Sequence, residues 1–255
     1  MRVLSSIRMF SLTAAVCLAA VWLSSHAVSA QEASLPASVV PAERLGDQWW
    51  KNRHEANRAR VAEGDVDLLL LGDSITHNWD GVGREVEAYY YGDRKCVNMG
   101  FGGDRTQHLL WRLGDLPADK IHPKAAMVLI GVNNTLADPP ADIALGIKAN
   151  VDKLRELWPD MNILLLNIFP DYEKDHPERK EINAANALLP EMFKDYPNLT
   201  LLDISEIWLD ENGDVPKDLM SDGVHPTEYG YKLWGAAVEP VIARMLGEEA
   251  KPAME

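Results

Sequence analysis

The sequence predicts an α/β fold, a three-layer α/β/α sandwich around a five-stranded parallel sheet. Short apolar runs recur along the chain, and segments with helical spacing separate them. Runs of this length without alternation are typical of strands that are buried on both faces. Because strands alternate with helices, the strands are expected to lie parallel, with helices covering both sides of the sheet.

The elements follow one another regularly. A first helix is predicted over 42–63, because this segment has helical spacing and is followed by Gly64, a typical helix stop. The predicted strands are the apolar runs 66–71, 95–99, 125–130, 162–168 and 199–204. The remaining predicted helices span 84–91, 104–113, 140–158, 178–195 and 227–246.

Residues 1–30 have the order of a secretory signal peptide. Arg2 and Arg8 precede an apolar run, and the small residues that end at Ala30 suit cleavage after that position. The alternative is a transmembrane anchor, but the apolar run is shorter than the roughly 20 residues that a spanning helix needs. We therefore expect a secreted or periplasmic protein without stable membrane insertion.

The rest of the chain is expected to form one domain over 42–246. Residues 31–41 are predicted to be a flexible lead-in, and residues 247–255 a frayed tail. Cleavage after Ala30 removes two arginines and no acidic residue, which moves the net charge from −14 to −16. An acidic surface disfavours nucleic acids as partners. The histidines show no metal-ligand spacing, so we expect neither a metal nor another cofactor.

Chemically active residues follow the predicted strands. In open parallel sheets, ligands bind beyond the carboxyl ends of the strands. The segments that begin there, or after a longer loop in the last case, are "GDSIT", "GFGGDRT", "GVNNT", "FPDYE" and "MSDGVHPTEYG". The fold therefore predicts that serine, glycine, asparagine, aspartate and histidine meet at one edge of the sheet.

These residue types suit acyl transfer by a serine nucleophile. The hydroxyl group of Ser74 needs a base to accept its proton, and His225 can serve because histidine titrates near neutral pH. Asp222 lies three residues before His225 and can orient the imidazole ring through Nδ1. Ser74, Asp222 and His225 are therefore the predicted catalytic residues.

The negatively charged oxygen that forms during such a reaction needs hydrogen-bond donors already in place. The predicted donors are the backbone N–H groups of Ser74 and Gly103 and the side-chain amide of Asn133. Asp104 and Arg105 are expected to brace the Gly103 loop through a local ion pair.

Each segment also has a simpler interpretation. Ser74 could cap a helix, and the glycine loops could bind anions at helix N-termini. The main alternative to an enzyme is therefore a non-catalytic module that binds anions or carbohydrates. That interpretation leaves Asp222 and His225 without a role.

Together these segments resemble the four blocks of the SGNH, or GDSL, hydrolases: serine in Gly-Asp-Ser, a glycine, asparagine in Gly-x-Asn, and Asp-x-x-His. The stretch "NMGFGGDRTQHLLWRLGDLPADKIHPKAAMVLIGVNN" (98–134) is similar in particular to the catalytic subunits of type I platelet-activating-factor acetylhydrolases. The resemblance implies the flavodoxin-like strand order 2-1-3-4-5, no metal, and the same roles for Ser74, Gly103, Asn133, Asp222 and His225. The related animal enzymes pair, so a homodimer is also an expectation.

The chain departs from this family at Ile75, which replaces the usual leucine, and at Val132, where the animal enzymes carry threonine. Ile75, Val132 and Val224 flank the predicted catalytic residues and are expected to line the acyl pocket. Because all three are branched, they would crowd a long chain, and we predict a preference for acetyl or other short acyl groups. The predicted substrate is an acetylated carbohydrate or an acetyl-glycerophospholipid. A lysophospholipase or thioesterase on the same fold is the alternative.

Overall fold

Five strands form one sheet in the computed structural model, which describes residues 34–135 and 137–255. The strands are β1 (Leu68–Gly72), β2 (Cys96–Gly100), β3 (Ala125–Leu129), β4 (Asn162–Leu166) and β5 (Leu199–Leu202). All neighbouring strands are parallel, and their order across the sheet is β2-β1-β3-β4-β5. The predicted fold class and the strand order implied by the resemblance are confirmed.

Helices cover the sheet. They are α1 (Gln48–Ala62), α2 (Ser74–His77), α3 (Arg84–Tyr91), α4 (Thr106–Gly114), α5 (Pro140–Leu157), α6 (Pro177–Asn186), α7 (Leu189–Phe193) and α8 (Glu228–Leu246). The single helix predicted over 178–195 is wrong, because the chain divides it into α6 and α7. Pro190 explains the break, since its ring would clash with the carbonyl group of Asn186 in a continuous helix.

The core lies on both faces of the central strands. Every residue of β1 and β3 is buried, and the four leucines of β1 are completely inaccessible to solvent. Burial of one leucine side chain contributes about 1.5–3 kcal/mol, so β1 is a major source of stability. On the helical layers, α4 packs on α5 and α5 on α6, while α3 packs on α8.

The segment before residue 42, predicted to be a flexible lead-in, packs on α4 and α5 from residue 35 onward. Ser38 is completely buried, and its Oγ donates a hydrogen bond to the carbonyl oxygen of Asp142 at 2.7 Å. Thr106 Oγ1 donates to the carbonyl oxygen of Ser38 at 2.9 Å. Gly146 permits this approach, because a Cβ atom there would lie 2.4 Å from Thr106 Oγ1.

The segment 247–255, predicted to fray, is held by hydrogen bonds. Lys251 donates from its backbone N–H group to Glu239 Oε1 at 2.7 Å and from Nζ to Asp93 Oδ1 at 2.6 Å. Glu239 is itself buried and accepts two hydrogen bonds from Arg94, at 2.6 and 2.7 Å. The tail thus completes the hydrogen bonding of a buried ion pair, a contact that the local sequence does not indicate.

Leu35–Glu255 form one compact unit. The predicted signal peptide, residues 1–30, lies outside the described residues. Within the part of the chain that the structure describes, no helix combines the length and the apolar character needed to cross a membrane.

Candidate active site

Ser74 stands at the turn between β1 and α2. The Oδ1 atom of Asp73 accepts a hydrogen bond from the backbone N–H group of Ile75 at 3.0 Å, so Asp73 caps α2. Gly72 allows the end of β1 to lie close against β3, because a Cβ atom at this position would lie 2.2 Å from the carbonyl oxygen of Leu129. The half-buried Ser74 is thereby held at the carboxyl end of the central strand.

Asp222 and His225 belong to one tight loop before α8. The Oδ1 atom of Asp222 accepts hydrogen bonds from the backbone N–H groups of Val224 and His225, at 3.0 and 2.8 Å. Gly223 takes a φ of +87°, a conformation that favours glycine. The local sequence therefore folds the carboxylate of Asp222 back toward the ring of His225.

A chain of hydrogen bonds joins the three predicted catalytic residues. His225 Nε2 lies 2.8 Å from Ser74 Oγ, although 151 positions separate the two residues. His225 Nδ1 lies 2.7 Å from Asp222 Oδ2. Because an ionised carboxylate only accepts hydrogen bonds, Nδ1 carries the proton, and Nε2 can accept the hydroxyl proton of Ser74.

The electrostatics of the loop keep Asp222 ionised. Partial burial acts to raise the pKa of Asp222, but hydrogen bonds from the backbone N–H group and ring of His225 and from Val224 outweigh it. The pKa falls to about 2. Asp222 therefore remains a carboxylate throughout the neutral and mildly acidic range, which fixes the tautomer of His225.

The loop after β2 presents Gly103 with a φ of +72°, a left-handed conformation that glycine adopts at little cost. Asn133 follows β3, and its Nδ2 donates a hydrogen bond to the carbonyl oxygen of Asp104 at 2.9 Å. This contact links the two segments that carry predicted oxyanion donors. The neighbouring Asn134 has a structural role instead, because it is buried and accepts a hydrogen bond from the Thr106 N–H group at 3.0 Å.

Asp104 braces this loop, but not through Arg105 as predicted. Its completely buried carboxylate accepts a hydrogen bond from Arg112 Nε at 2.8 Å and forms an ion pair with Arg44 Nη1 at 3.1 Å. Trp50 Nε1 also donates to it, at 2.7 Å. The predicted partner was the neighbour in sequence, whereas the observed partners come from α1, from α4 and from the segment before α1.

A cavity of about 380 Å³ adjoins His225. It is lined by Gly103, Arg105, Val132, Asn133, Thr135, Tyr172, Glu178, Val224 and His225. Two of the three predicted acyl-pocket residues, Val132 and Val224, are therefore on its wall. The third, Ile75, points into the core with 2% exposure and is not among the lining residues.

The sequence did not indicate one residue of this wall. Glu178 lines the cavity from the first turn of α6, far from any strand end, whereas Thr135 belongs to the segment after β3 that was expected at this edge. Tyr172 lines it as well, as the sequence had suggested for a residue that follows β4. Trp79 and Trp208 do not reach this edge, since both are completely buried in the core.

A larger cleft of about 600 Å³ lies elsewhere, beside the residues that precede β3 and β4. Its walls include Lys124, Trp158 and Asn162. Because this cleft is at the amino ends of the strands, it is on the opposite edge of the sheet from Ser74 and His225. The smaller cavity is therefore the candidate active site.

The pattern of the GDSL-like lipase/acylhydrolase family matches residues 70–233, which is more than half of the chain. The chain belongs to this family. As a GDSL acylhydrolase, also called an SGNH hydrolase, it is an ester-hydrolysing enzyme, and the alternative of a non-catalytic module is wrong.

Relatives of this GDSL acylhydrolase include the platelet-activating factor acetylhydrolase IB subunit alpha2 of Rattus norvegicus. The two are 29% identical over 203 residues, which cover 80% of this chain and 87% of the relative.

Solved structures share the fold. A GDSL-like lipase from Bacteroides thetaiotaomicron superposes with a TM-score of 0.61 at 16% identity, over 77% of this chain and 97% of the other. A carbohydrate esterase family 3 protein from Talaromyces cellulolyticus gives 0.55 at 18% identity, over 71% and 98%.

Proposed function

We propose that this GDSL acylhydrolase hydrolyses short-chain, preferably acetyl, esters through an acyl-enzyme on Ser74. The observation that carries the proposal is the 2.8 Å contact between Ser74 Oγ and His225 Nε2, in a ring whose other nitrogen faces Asp222. This arrangement supports deprotonation of the serine at the moment of attack.

In the proposed reaction, Ser74 Oγ attacks the ester carbonyl carbon while His225 accepts its proton. The carbonyl oxygen becomes an oxyanion, which the N–H groups of Ser74 and Gly103 and the amide of Asn133 stabilise. The bond to the alcohol then breaks, and His225 returns the proton to the departing alcohol oxygen. Water attacks the acyl-serine in the same way, which releases the carboxylic acid and restores Ser74.

The preference for a short acyl group rests on Val132 and Val224, whose branched side chains narrow a cavity of only about 380 Å³. Its other walls include the polar side chains of Arg105 and Glu178, which suit a hydroxyl-rich alcohol better than an alkyl chain. Among the two alcohols that the sequence left open, we therefore favour a carbohydrate. The Talaromyces relative is named a carbohydrate esterase, and the Rattus relative is named for platelet-activating factor.

The test is a series of p-nitrophenyl esters from acetate to octanoate, measured on the wild-type enzyme and on Ser74→Ala. We expect kcat/KM to fall with chain length, and Ser74→Ala to lose at least about 10⁴-fold in kcat because the nucleophile is gone. A fluorophosphonate should label the wild-type enzyme and not Ser74→Ala.

Ser205→Ala is the matched control, because Ser205 lies in a different turn, after β5, and should keep both activity and labelling. Wild-type rates in Ser74→Ala would refute the nucleophile, and faster turnover of octanoate than acetate would refute the short-chain preference.

Release of acetate from acetylated xylan, compared with an acetylated ether phospholipid, distinguishes the two alcohols. Faster hydrolysis of a lysophospholipid or a thioester would favour the alternative enzymes.

We further propose that the enzyme acts outside the cytoplasm, after cleavage at Ala30. The support is the order of residues 1–30, basic, then apolar, then small.

A further inference from the structure

The loop that carries Gly103 is bordered by two histidines that the proposed reaction does not use. The backbone N–H group of Gly102 donates to His77 Nδ1 at 3.3 Å, and that of Arg105 donates to His108 Nδ1 at 3.0 Å. One accepting ring therefore stands on each side of the proposed oxyanion donor. Both rings can accept only in the neutral form that carries its proton on Nε2.

His77 connects the nucleophile to this loop. It is the last residue of α2, the short helix that begins with Ser74, and its ring stacks on Trp49 with an interplanar angle of 10°. The carbonyl side of the loop has a separate anchor, since Arg44 Nη1 donates to the carbonyl oxygen of Gly102 at 2.9 Å. His77 thus supplies the contact that fixes the amide side of the same residue.

His108 holds the other end of the loop. It lies in the first turn of α4, and its bond to the Arg105 N–H group satisfies a donor at the start of that helix. Its Nδ1 atom is also 3.9 Å from Asp104 Oδ1. A protonated His108 ring would carry a second N–H group at Nδ1. This group would face the Arg105 N–H group, which is also a donor, and would be attracted to Asp104 instead. The present hydrogen bond therefore requires neutral His108.

We propose that neutral His77 and His108 are positioning residues. They hold the Gly103 N–H group where it can donate a hydrogen bond to the oxyanion. This inference rests on the proposed function of Ser74 and Gly103. Protonation of either ring removes an acceptor from the loop, so the oxyanion site is expected to lose its geometry in acid.

The charges around the two rings agree with this arrangement. Burial lowers the pKa of His77, and Arg53 lowers it further, against opposing contributions from Asp80 and Asp104. Burial also lowers the pKa of His108; Asp104 opposes this shift, and Arg44, Arg105 and Arg112 favour it. Both shifts favour the neutral form of the ring.

The experiment compares leucine and asparagine at each position. Leucine removes the acceptor but keeps the bulk, whereas the Oδ1 atom of asparagine can replace Nδ1 and does not titrate. We expect His77→Leu and His108→Leu each to lose about 10- to 100-fold in kcat with little change in KM, because a small displacement of an oxyanion donor affects mainly the transition state. His77→Asn and His108→Asn should recover most of this loss.

The pH profile separates a positioning role from a structural one. In the wild-type enzyme, log kcat/KM should fall more steeply with decreasing pH than in the double variant H77N/H108N, because protonation of the two loop histidines disturbs the oxyanion site only in the wild-type enzyme. Should a leucine variant fail to fold, this slope still decides the matter.

Wild-type kcat in both leucine variants, or an unchanged acid slope in the double variant, would overturn the inference. Activity of Ser74→Ala measured in parallel separates this failure from failure of the proposed function. If Ser74→Ala is inactive while the histidine variants behave as wild type, only the role of His77 and His108 is refuted.

Discussion

Asp73 sits directly before the proposed nucleophile, and its carboxyl group is completely buried. Its Oδ1 atom caps α2, whereas Oδ2 has no hydrogen-bond partner. Burial raises the pKa of Asp73 to about 7; the hydrogen bond from Ile75 opposes this shift, and the nearby charge of Asp104 adds to it. The residue beside Ser74 is therefore an acid that resists ionisation, unlike Asp222.

This shift predicts how stability depends on pH. The pKa of Asp73 is higher in the folded state than its ordinary value of 3.8, so the folded state binds more protons between these values and loses stability as pH rises from about 4 to 7. Asp73→Asn keeps the Oδ1 cap but cannot ionise. Its free energy of unfolding relative to wild type should therefore rise by up to about 4 kcal/mol between pH 4 and pH 8.

Chemical denaturation of both proteins across this pH range measures the effect. The control is Asp222→Asn, whose free energy of unfolding relative to wild type should stay nearly constant across this range, because the lowered pKa of Asp222, about 2, confines its effect to pH values below about 4. A constant difference between Asp73→Asn and wild type at all pH values would show that Asp73 ionises normally.

At the scale of elements, the close packing of α2 on β2 determines the distance between Ser74 and the Gly103 loop. Gly100, the last residue of β2, makes this packing possible, because a Cβ atom there would lie 2.1 Å from the backbone nitrogen of His77. Asn98, also on β2, strengthens the contact by donating from Nδ2 to the carbonyl oxygen of Thr76 at 3.1 Å. The short helix is thus held by the neighbouring strand.

Gly100→Ala should therefore force α2 away from the sheet. Because the obstructing atoms belong to the backbone, we expect a loss of about 3 kcal/mol or more, a fall in melting temperature of about 6 °C or more, and a lower kcat. Thermal denaturation and ester hydrolysis measure both effects.

Gly114→Ala provides the control. No atom lies within 4 Å of its added Cβ, and alanine favours the end of α4, so stability should stay the same or rise slightly. Equal melting temperatures for Gly100→Ala and Gly114→Ala would contradict the proposed packing constraint.

At the scale of the whole molecule, the segments on either side of the predicted domain, 35–41 and 247–255, are part of the folded unit. Ser38 is buried against α4 and α5, and the buried pair of Arg94 and Glu239 binds the backbone of Lys251. Removal of one partner from a buried ion pair is costly, so these contacts tie the last helix and the tail to the segment after α3. The folded unit therefore extends beyond the predicted domain limits of 42 and 246.

The predicted export concerns the whole chain as well. The exported protein should begin at Gln31, and this shortened chain contains all of the compact unit that starts at Leu35. Mass spectrometry of the secreted or periplasmic fraction measures its N-terminus. Retention of residues 1–30 on a membrane-bound protein would favour the anchor interpretation instead.

The sequence by itself determined the sheet and the edge at which chemistry was to be expected. Five apolar runs could be recognised because strands buried on both faces need continuous hydrophobic residues. Ser74 followed the first of these runs directly, and Asp222 and His225 followed the last run after a longer loop. Asp222 and His225 could be paired from spacing alone, since a three-residue loop fixes their geometry locally. The family resemblance supplied the strand order.

Only the tertiary structure decided which distant groups meet. The partners of Asp104 come from α1, from α4 and from the segment before α1, Glu178 reaches the cavity from α6, and His77 accepts a hydrogen bond from a loop 25 residues away. The side chain of Ile75 is buried in the core of the tertiary structure, although the neighbouring Ser74 remains partly accessible. Such contacts leave no local pattern, because packing of whole elements against each other brings the side chains together, whereas strand periodicity and tight loops are properties of adjacent residues.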